Sequence, residues 1–158
     1  QVNQISKNQV DVENERILSM VSRLSERLYT TNSTNITEWN RLGRSYIVLG
    51  QFEKAMKAYE EAYALNSENL DSLKGLAESM LLNSEKNRPV DKKIINLFNS
   101  ILLLDKNYLL GLWVMADNEI LSNNFNKAQH LLNRILIQLS EGTEEYNLVI
   151  RKLNELQE

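Results

Sequence analysis

Hydrophobic and polar positions alternate at helical spacing along most of the chain, most regularly between residues 39 and 65. The first apolar stripe there consists of Trp39, Leu42, Gly43 and Tyr46, and the second of Phe52, Ala55, Ala58, Tyr59 and Ala62. Apolar residues three or four positions apart lie on one face of an α-helix, and Gly50-Gln51 interrupts the pattern between the stripes. We therefore expect two amphipathic helices, at about 37–49 and 52–65, folded back on each other. Because such a pair cannot bury both apolar faces alone, it needs neighbouring pairs.

Similar stripes and polar breaks continue on both sides of this pair. Further helices are predicted at about 11–29, 70–82, 91–104, 108–122, 126–139 and 144–156. Phe52 and Phe125 occupy matching places, each followed three positions later by an alanine. Once an insertion of about five residues near 83–89 is removed, the period is roughly 34 residues, which is typical of helical repeats.

The predicted organisation is one domain at 11–158, preceded by a disordered segment or linker remnant at 1–10. The domain contains repeats at about 36–69, 70–108 and 109–140. Helices at 11–29 and 143–157 would cover the two ends of the array. Only five glycines and one proline are present and no β-type alternation is visible, so the fold class is all-α.

Composition and charge exclude several functions. The net charge is −3, and the basic residues are spread among acidic ones, which does not fit a nucleic-acid partner. No apolar run approaches the length of a membrane span.

The absence of cysteine fits either a cytosolic protein or an oxidising compartment, where a free thiol is a liability. The chain begins with Gln1, so we expect a processed or excised fragment.

No constellation for catalysis or cofactor binding is present in the sequence. There is no glycine-rich phosphate loop, nucleophile elbow or triad, and the paired acids Glu60-Glu61 diverge on a helix. The lone His130 falls on an outer helix face and has no second histidine or cysteine to complete a metal or haem site. We predict a protein that is not an enzyme and carries no cofactor.

The regular pair resembles the tetratricopeptide repeat (TPR), in which tryptophan, leucine, glycine, tyrosine and alanine recur at set places. In the weaker second and third repeats, Ala77 and Ala116 replace the usual glycine, and Glu119 stands where an aromatic residue is common. The resemblance implies a TPR-like right-handed superhelix of three helix pairs with flanking N- and C-terminal helices. It also implies that the first helix of each pair lines a concave, ligand-binding face.

By repeat phase, that face defines a predicted peptide-binding groove. Its members are Asn40, Arg44 and Ile47 in the first pair, Lys74, Glu78 and Leu81 in the second, and Leu110, Trp113, Asp117 and Ile120 in the third. Asn40 and Arg44, one turn apart, could hold a carboxylate or could belong to an ordinary solvated face. Trp113 is either an exposed anchor for an apolar helix or a core residue. Lys74 could contact a ligand or form an ion pair within its own helix.

The order of elements over residues 11–157 resembles a narrower group, the periplasmic TPR domain of c-type cytochrome maturation proteins (the CcmI/CycH-like group). The resemblance is carried by MVSRLSERL at 20–28, the long loop of the second repeat and GLWVMA at 111–116. It implies a chaperone at the periplasmic face of the inner membrane, tethered by segments absent from this chain. Its partners would be the C-terminal helix of apocytochrome c and other subunits of the haem-ligation machinery, without direct haem binding. The alternative is a generic TPR scaffold that joins subunits of another membrane-associated or cytosolic assembly.

Overall fold

A computed structural model of the protein describes the backbone of residues 2–84 and 89–156, with side chains from Val12 onward. These described residues form eight α-helices and no strand, which confirms the all-α class. The helices are α1 (Val2–Thr30), α2 (Ile36–Val48), α3 (Phe52–Leu65), α4 (Leu70–Asn83), α5 (Lys92–Leu104), α6 (Leu109–Leu121), α7 (Phe125–Leu136) and α8 (Glu144–Glu155).

Helix boundaries coincide with capping residues in the polar breaks. The side chains of Asn35, Asp91 and Thr143 accept hydrogen bonds from backbone N–H groups in the first turns of α2, α5 and α8. Such bonds satisfy donors that have no partner within the helix. After α2 and α6 the chain turns at Gly50 (φ 68°) and Asn123 (φ 58°), residue types that tolerate the left-handed region. The two turns occupy the same place in their helix pairs.

The start of α1 corrects the prediction of disorder at residues 1–10. The helix begins at Val2 and continues without interruption to Thr30. The polar composition of this segment suggested a frayed end, but it contains neither glycine nor proline to stop a helix. Residues 85–88 of the predicted loop and residue 157 of the predicted last helix lie outside the described residues.

The described residues divide into two compact units, residues 1–82 and 83–158. In unit 1, α2 and α3 form a closely packed pair with α1 against α2. In unit 2, α6 pairs with α7, and α5 and α8 pack beside them. The core of unit 2 is built from Leu112, Ala116, Leu132, Ile135 and Val149, all fully buried.

The contact between α1 and α2 centres on an aromatic pair. The Tyr29 and Trp39 rings meet edge to face with centroids 4.8 Å apart, an arrangement favoured by aromatic quadrupoles. The Trp39 indole Nε1 donates to the Ser33 carbonyl oxygen at 2.7 Å, so its polar atom is satisfied although the residue is buried. At the surface, Arg27 and Glu38 form an ion pair at 2.6 Å. These contacts fix the helix that precedes the first pair.

Candidate peptide-binding site

The ring of Tyr59, on α3, is inserted between the backbones of α2 and α4 in unit 1. A Cβ placed on Gly43 of α2 would lie 2.5 Å from the Tyr59 Cε2 atom, and a Cβ on Gly75 of α4 would lie even closer to the other edge of the ring. Real Cβ atoms do not approach neighbours within 3.0 Å, so glycine on both sides makes the slot for the ring.

The phenol end of Tyr59 belongs to a polar cluster contributed by α2 and α4. Burial raises the pKa of Tyr59, the charges of Glu78 and Asp71 raise it further, and the charge and hydrogen bond of Arg44 oppose the shift. The two helices therefore place groups of both signs around one hydroxyl. Arg44 is exposed, and a guanidinium carries five N–H donors, so the side chain can donate to a ligand.

Asn40 does not join this cluster, which corrects its predicted place beside Arg44. Its side chain is 6% exposed, its Nδ2 donates to Asn69 Oδ1 at 3.3 Å, and its Oδ1 accepts from the Ser72 hydroxyl at 2.9 Å. Ser72 itself is fully buried. The side-chain amide of Asn40 thus links α2 to the start of α4 by hydrogen bonds. This face of α2 is covered within unit 1, so the amide is not accessible to a ligand. Helical phase alone could not reveal that cover.

The remaining predicted residues of unit 1 are partly buried. Ile47, Lys74, Glu78 and Leu81 all belong to this class, and of these Glu78 acts on the Tyr59 hydroxyl. Lys74 and Leu81 each interact with other groups of the protein. Around Tyr59 the structure thus brings together Arg44 and Glu78 from the predicted set, and adds Asp71.

In unit 2 the predicted residues share one face of α6. Trp113 is partly buried and packs against the core cluster of that unit, so it is neither a fully buried core residue nor a free anchor. One turn on, Asp117 accepts from Lys152 Nζ of α8 at 2.9 Å. Leu110 and Ile120 are partly buried on the same side. The face is mostly apolar, with one ion pair between α6 and α8.

Sequence reasoning missed the roles of Tyr59 and Gly75. Tyr59 was assigned to packing only, and Gly75 was given no role. A signal was available, because glycine inside a helix is less favourable than alanine by about 1 kcal/mol and usually has a packing reason there. Within the part of the chain that the structure describes, no group of three His, Cys, Asp or Glu residues could hold a metal ion.

Comparison with known families identifies the helix pair. A model of the tetratricopeptide repeat matches residues 36–69, the same residues that the hydrophobic pattern predicted as the first repeat. The crystal structure of MamA superimposes with a TM-score of 0.65 over 90% of this chain and 83% of that chain, at 13% sequence identity. At this identity the likeness concerns the fold alone. Residues 36–69 therefore match a tetratricopeptide repeat, and the fold of the chain is TPR-like.

One curated relative is similar over most of the chain. The bifunctional subunit NrfFG of the formate-dependent nitrite reductase complex of Haemophilus influenzae is 26% identical over 133 residues. The match covers 84% of this chain but 34% of the relative, so the chain spans about a third of that protein's length. Among the described helices, none combines the length and apolar character needed to cross a membrane.

Proposed function

We propose that this domain is a chaperone that binds the C-terminal helix of apocytochrome c and presents it for haem ligation. The observation that carries the proposal is the polar cluster of Arg44, Tyr59, Glu78 and Asp71 on unit 1. Apocytochrome c is proposed as the client because residues 11–157 resemble the cytochrome maturation group. The similarity to a subunit of a formate-dependent nitrite reductase complex supports a role that involves an enzyme complex.

The cluster is suited to the end of a helix. A helix C-terminus presents unpaired carbonyl groups and the negative end of its dipole, and at the end of a chain it also presents a carboxylate. The planar guanidinium of Arg44 can pair with a carboxylate through two parallel hydrogen bonds. Glu78 and Asp71 would accept from basic side chains of the same segment. A ligand with groups of both signs is therefore favoured over a uniformly acidic or basic one.

Unit 2 offers an apolar surface of its own for the same kind of ligand. Leu110, Trp113 and Ile120 lie on one face of α6, each only partly covered. An amphipathic helix binds by laying its apolar stripe against such a surface, and aromatic residues contribute most to the affinity. The client would reach the domain at the periplasmic face of the inner membrane, where segments outside this chain would tether it.

A second candidate function is a generic TPR scaffold that joins subunits of another assembly. NrfFG of Haemophilus influenzae is by name a subunit of a complex, and that name mentions no apocytochrome. In this case the same surfaces would bind a partner subunit rather than an unfolded client. The two functions differ in the ligand that they require.

Calorimetry separates the two functions. A peptide of the apocytochrome c C-terminal helix is titrated into the domain, with two controls: the same peptide with a central proline, and an unrelated amphipathic helix of equal charge. Since proline inside a helix costs about 3 kcal/mol, the proline peptide should bind about a hundredfold more weakly. Equal binding of the unrelated helix would favour the generic scaffold. The absence of heat with a domain that is folded by circular dichroism would contradict the chaperone.

A further inference from the structure

Unit 2 contains a groove that the function proposed above does not use. It lies between α5 and α7, over α6, and has a volume of about 470 Å³. Its walls and floor include Leu102, Leu103, Met115 and Leu131. Along its rim, α7 supplies Lys127, His130 and Arg134, whose spacing of three and four residues places them on one helix face. An apolar floor is thus bordered by a row of basic side chains.

The groove opens on the opposite side of α6 from Trp113 and Asp117. Met115 and Glu119 line the groove, and each follows one of those residues by two positions. Since an α-helix turns about 100° per residue, two positions correspond to roughly 200°. The contacts agree: Asp117 pairs with Lys152 of α8, whereas the carboxylate of Glu119 accepts from Asn124 Nδ2 at 2.8 Å. Two ligands could therefore occupy opposite faces of α6 together.

A matching cleft in unit 1 serves as an internal comparison. It lies between α1 and α3, and its lining includes Tyr29, Tyr46, Lys54 and Lys57. These four residues precede Leu102, Glu119, Lys127 and His130 of unit 2 by the same 73 positions that separate Phe52 from Phe125. Both units therefore form a groove at the same place in their helix pairs.

In the cleft of unit 1 the basic groups already have partners. Lys54 Nζ lies 5.7 Å from the centroid of the Tyr46 ring, a cation–π contact. Lys57 Nζ pairs with Glu53 Oε1 at 3.0 Å. Burial raises the pKa of Tyr29, and the charge of Glu61 adds to the shift, so Glu61 acts at the same cleft.

Three residues of the unit 1 cleft have different counterparts in unit 2. At the equivalent positions Glu119 replaces Tyr46, Asn126 replaces Glu53, and Arg134 replaces Glu61. Lys127, the counterpart of Lys54, has no aromatic ring at the place of Tyr46, and it forms no ion pair or cation–π contact within the described residues. The guanidinium of Arg134 donates to the carbonyl oxygen of Lys106, which fixes its position at the groove. The groove of unit 2 thus combines an unpaired lysine with a positioned arginine.

We propose that this groove is a second binding site, which takes an acidic amphipathic segment of a partner protein. Apolar side chains of the segment would cover Leu102, Met115 and Leu131, and its carboxylates would pair with Lys127 and Arg134. From Lys127 to Arg134 the rim extends about 10 Å, or two helical turns, and Leu103 at its edge is 81% exposed. These dimensions fit a peptide segment, and opposite charge selects an acidic one. The domain would then hold a client and an assembly partner at the same time.

The test uses the full chain and a fluorescein-labelled helical peptide of about three turns, in which leucines form one face and glutamates flank them. Its control is the same peptide with glutamine in place of every glutamate. Anisotropy at low salt should show the glutamate peptide binding at least about tenfold more tightly than the glutamine peptide. Lys127→Glu and Arg134→Glu should each weaken the glutamate peptide by about tenfold or more. Lys92→Glu, the same charge change at an exposed position on α5 outside the groove, should leave it unchanged.

Several outcomes would overturn the second site. These are equal affinity of the two peptides, an affinity that neither groove variant changes, or displacement of the peptide by excess dodecanoate at micromolar concentration. Lys127→Glu keeps the test valid if Arg134→Glu disturbs folding through the lost bond to Lys106. The designed peptide contains no cytochrome sequence, so a failure of the apocytochrome peptide to bind leaves this result independent. Displacement of the bound designed peptide by the apocytochrome peptide would contradict simultaneous occupation.

Discussion

The ring of Tyr59 fills the space that a Cβ atom at Gly75 would need. Gly75 lies on the helix that follows Tyr59's own, so this contact sets how closely α3 and α4 approach. The same ring carries the hydroxyl whose pKa the charges of Arg44 and Glu78 shift in opposite directions. One side chain therefore joins the packing of unit 1 to the polar cluster proposed to bind a ligand.

Gly75→Ala should destabilise the protein. A methyl group there would collide with the Tyr59 ring. The ring cannot move away from it, because Gly43 lies close against the other edge of the ring. We expect the free energy of unfolding in urea to fall by about 1–3 kcal/mol, as for other overpacked sites. At an unobstructed helical site the same change is favourable by about 1 kcal/mol.

The matched control for this change adds Tyr59→Leu to Gly75→Ala. Leucine is the residue at the equivalent position of α7, Leu132, where Ala116 takes the place of Gly43. Because the smaller side chain vacates the slot, adding Gly75→Ala to Tyr59→Leu should cost much less than adding it to the parent. A Gly75→Ala variant as stable as the parent would refute the ring-slot account.

Ser72→Ala should lower the free energy of unfolding, because it removes a hydrogen bond from the buried amide network. The change leaves the Asn40 Oδ1 atom without its 2.9 Å donor in a buried site. An unsatisfied buried acceptor costs about 1–3 kcal/mol, measurable by chemical denaturation. Ser100→Ala is the control, since the Ser100 hydroxyl donates to the Asn96 carbonyl at an exposed site and should change stability by less than about 0.5 kcal/mol. Equal effects of the two changes would mean that the network contributes nothing specific.

The Arg27–Glu38 ion pair should contribute to the pH dependence of stability in acid. The hydrogen bond from Arg27, at 2.6 Å, lowers the pKa of Glu38 below the usual value of 4.5. A lowered folded-state pKa adds stability above the unfolded value, and this stability is lost as the pH falls through the folded pKa. In Arg27→Gln, NMR titration of the Glu38 carboxyl should give a pKa closer to its usual value, and that part of the acid dependence should vanish. Arg23→Gln, at a nearby exposed position, should leave the Glu38 titration unchanged; an equal shift would contradict the pairing.

Tyr59 should make the free energy of unfolding fall as the pH rises in alkali. Burial raises its pKa above the usual value of 10.0. A raised folded-state pKa adds stability below the unfolded value, and this stability is lost as the pH rises through the folded pKa. Tyr59→Phe keeps the ring but not the ionisation, so its unfolding free energy should decline less steeply above about pH 10. Parallel alkaline profiles for the two proteins would show that Tyr59 ionises as in the unfolded chain.

Local patterning predicted most of the secondary structure. The predicted limits of α3, 52–65, are those observed, because Gly50 ends one apolar stripe and Asn66 follows the next. The first repeat, 36–69, is also the segment that the family model matches. Where polar composition rather than periodicity decided the prediction, as before residue 11, the helix was missed.

The candidate site was harder to predict because it depends on neighbouring helices. Phase places Asn40 and Arg44 on adjacent parts of α2, but contact with the start of α4 buries one and leaves the other exposed. Tyr59 was correctly expected to pack. Its passage between two glycines depends on Gly75, whose position opposite the ring is a tertiary property. Periodicity gives the direction of a side chain, and the packing partner decides whether that side chain remains accessible.

The role of the polar cluster is tested by the affinity of Arg44→Ala and of Arg23→Ala for the apocytochrome c C-terminal peptide. Both changes remove an exposed arginine from unit 1, but only Arg44 lowers the pKa of Tyr59 through its charge. Arg44→Ala should weaken binding by about tenfold or more, which corresponds to the loss of a charge-assisted hydrogen bond, and should leave the free energy of unfolding nearly unchanged. Arg23→Ala should bind like the parent. Unchanged affinity in Arg44→Ala, with the peptide still bound, would place the binding site elsewhere and contradict a role for the polar cluster.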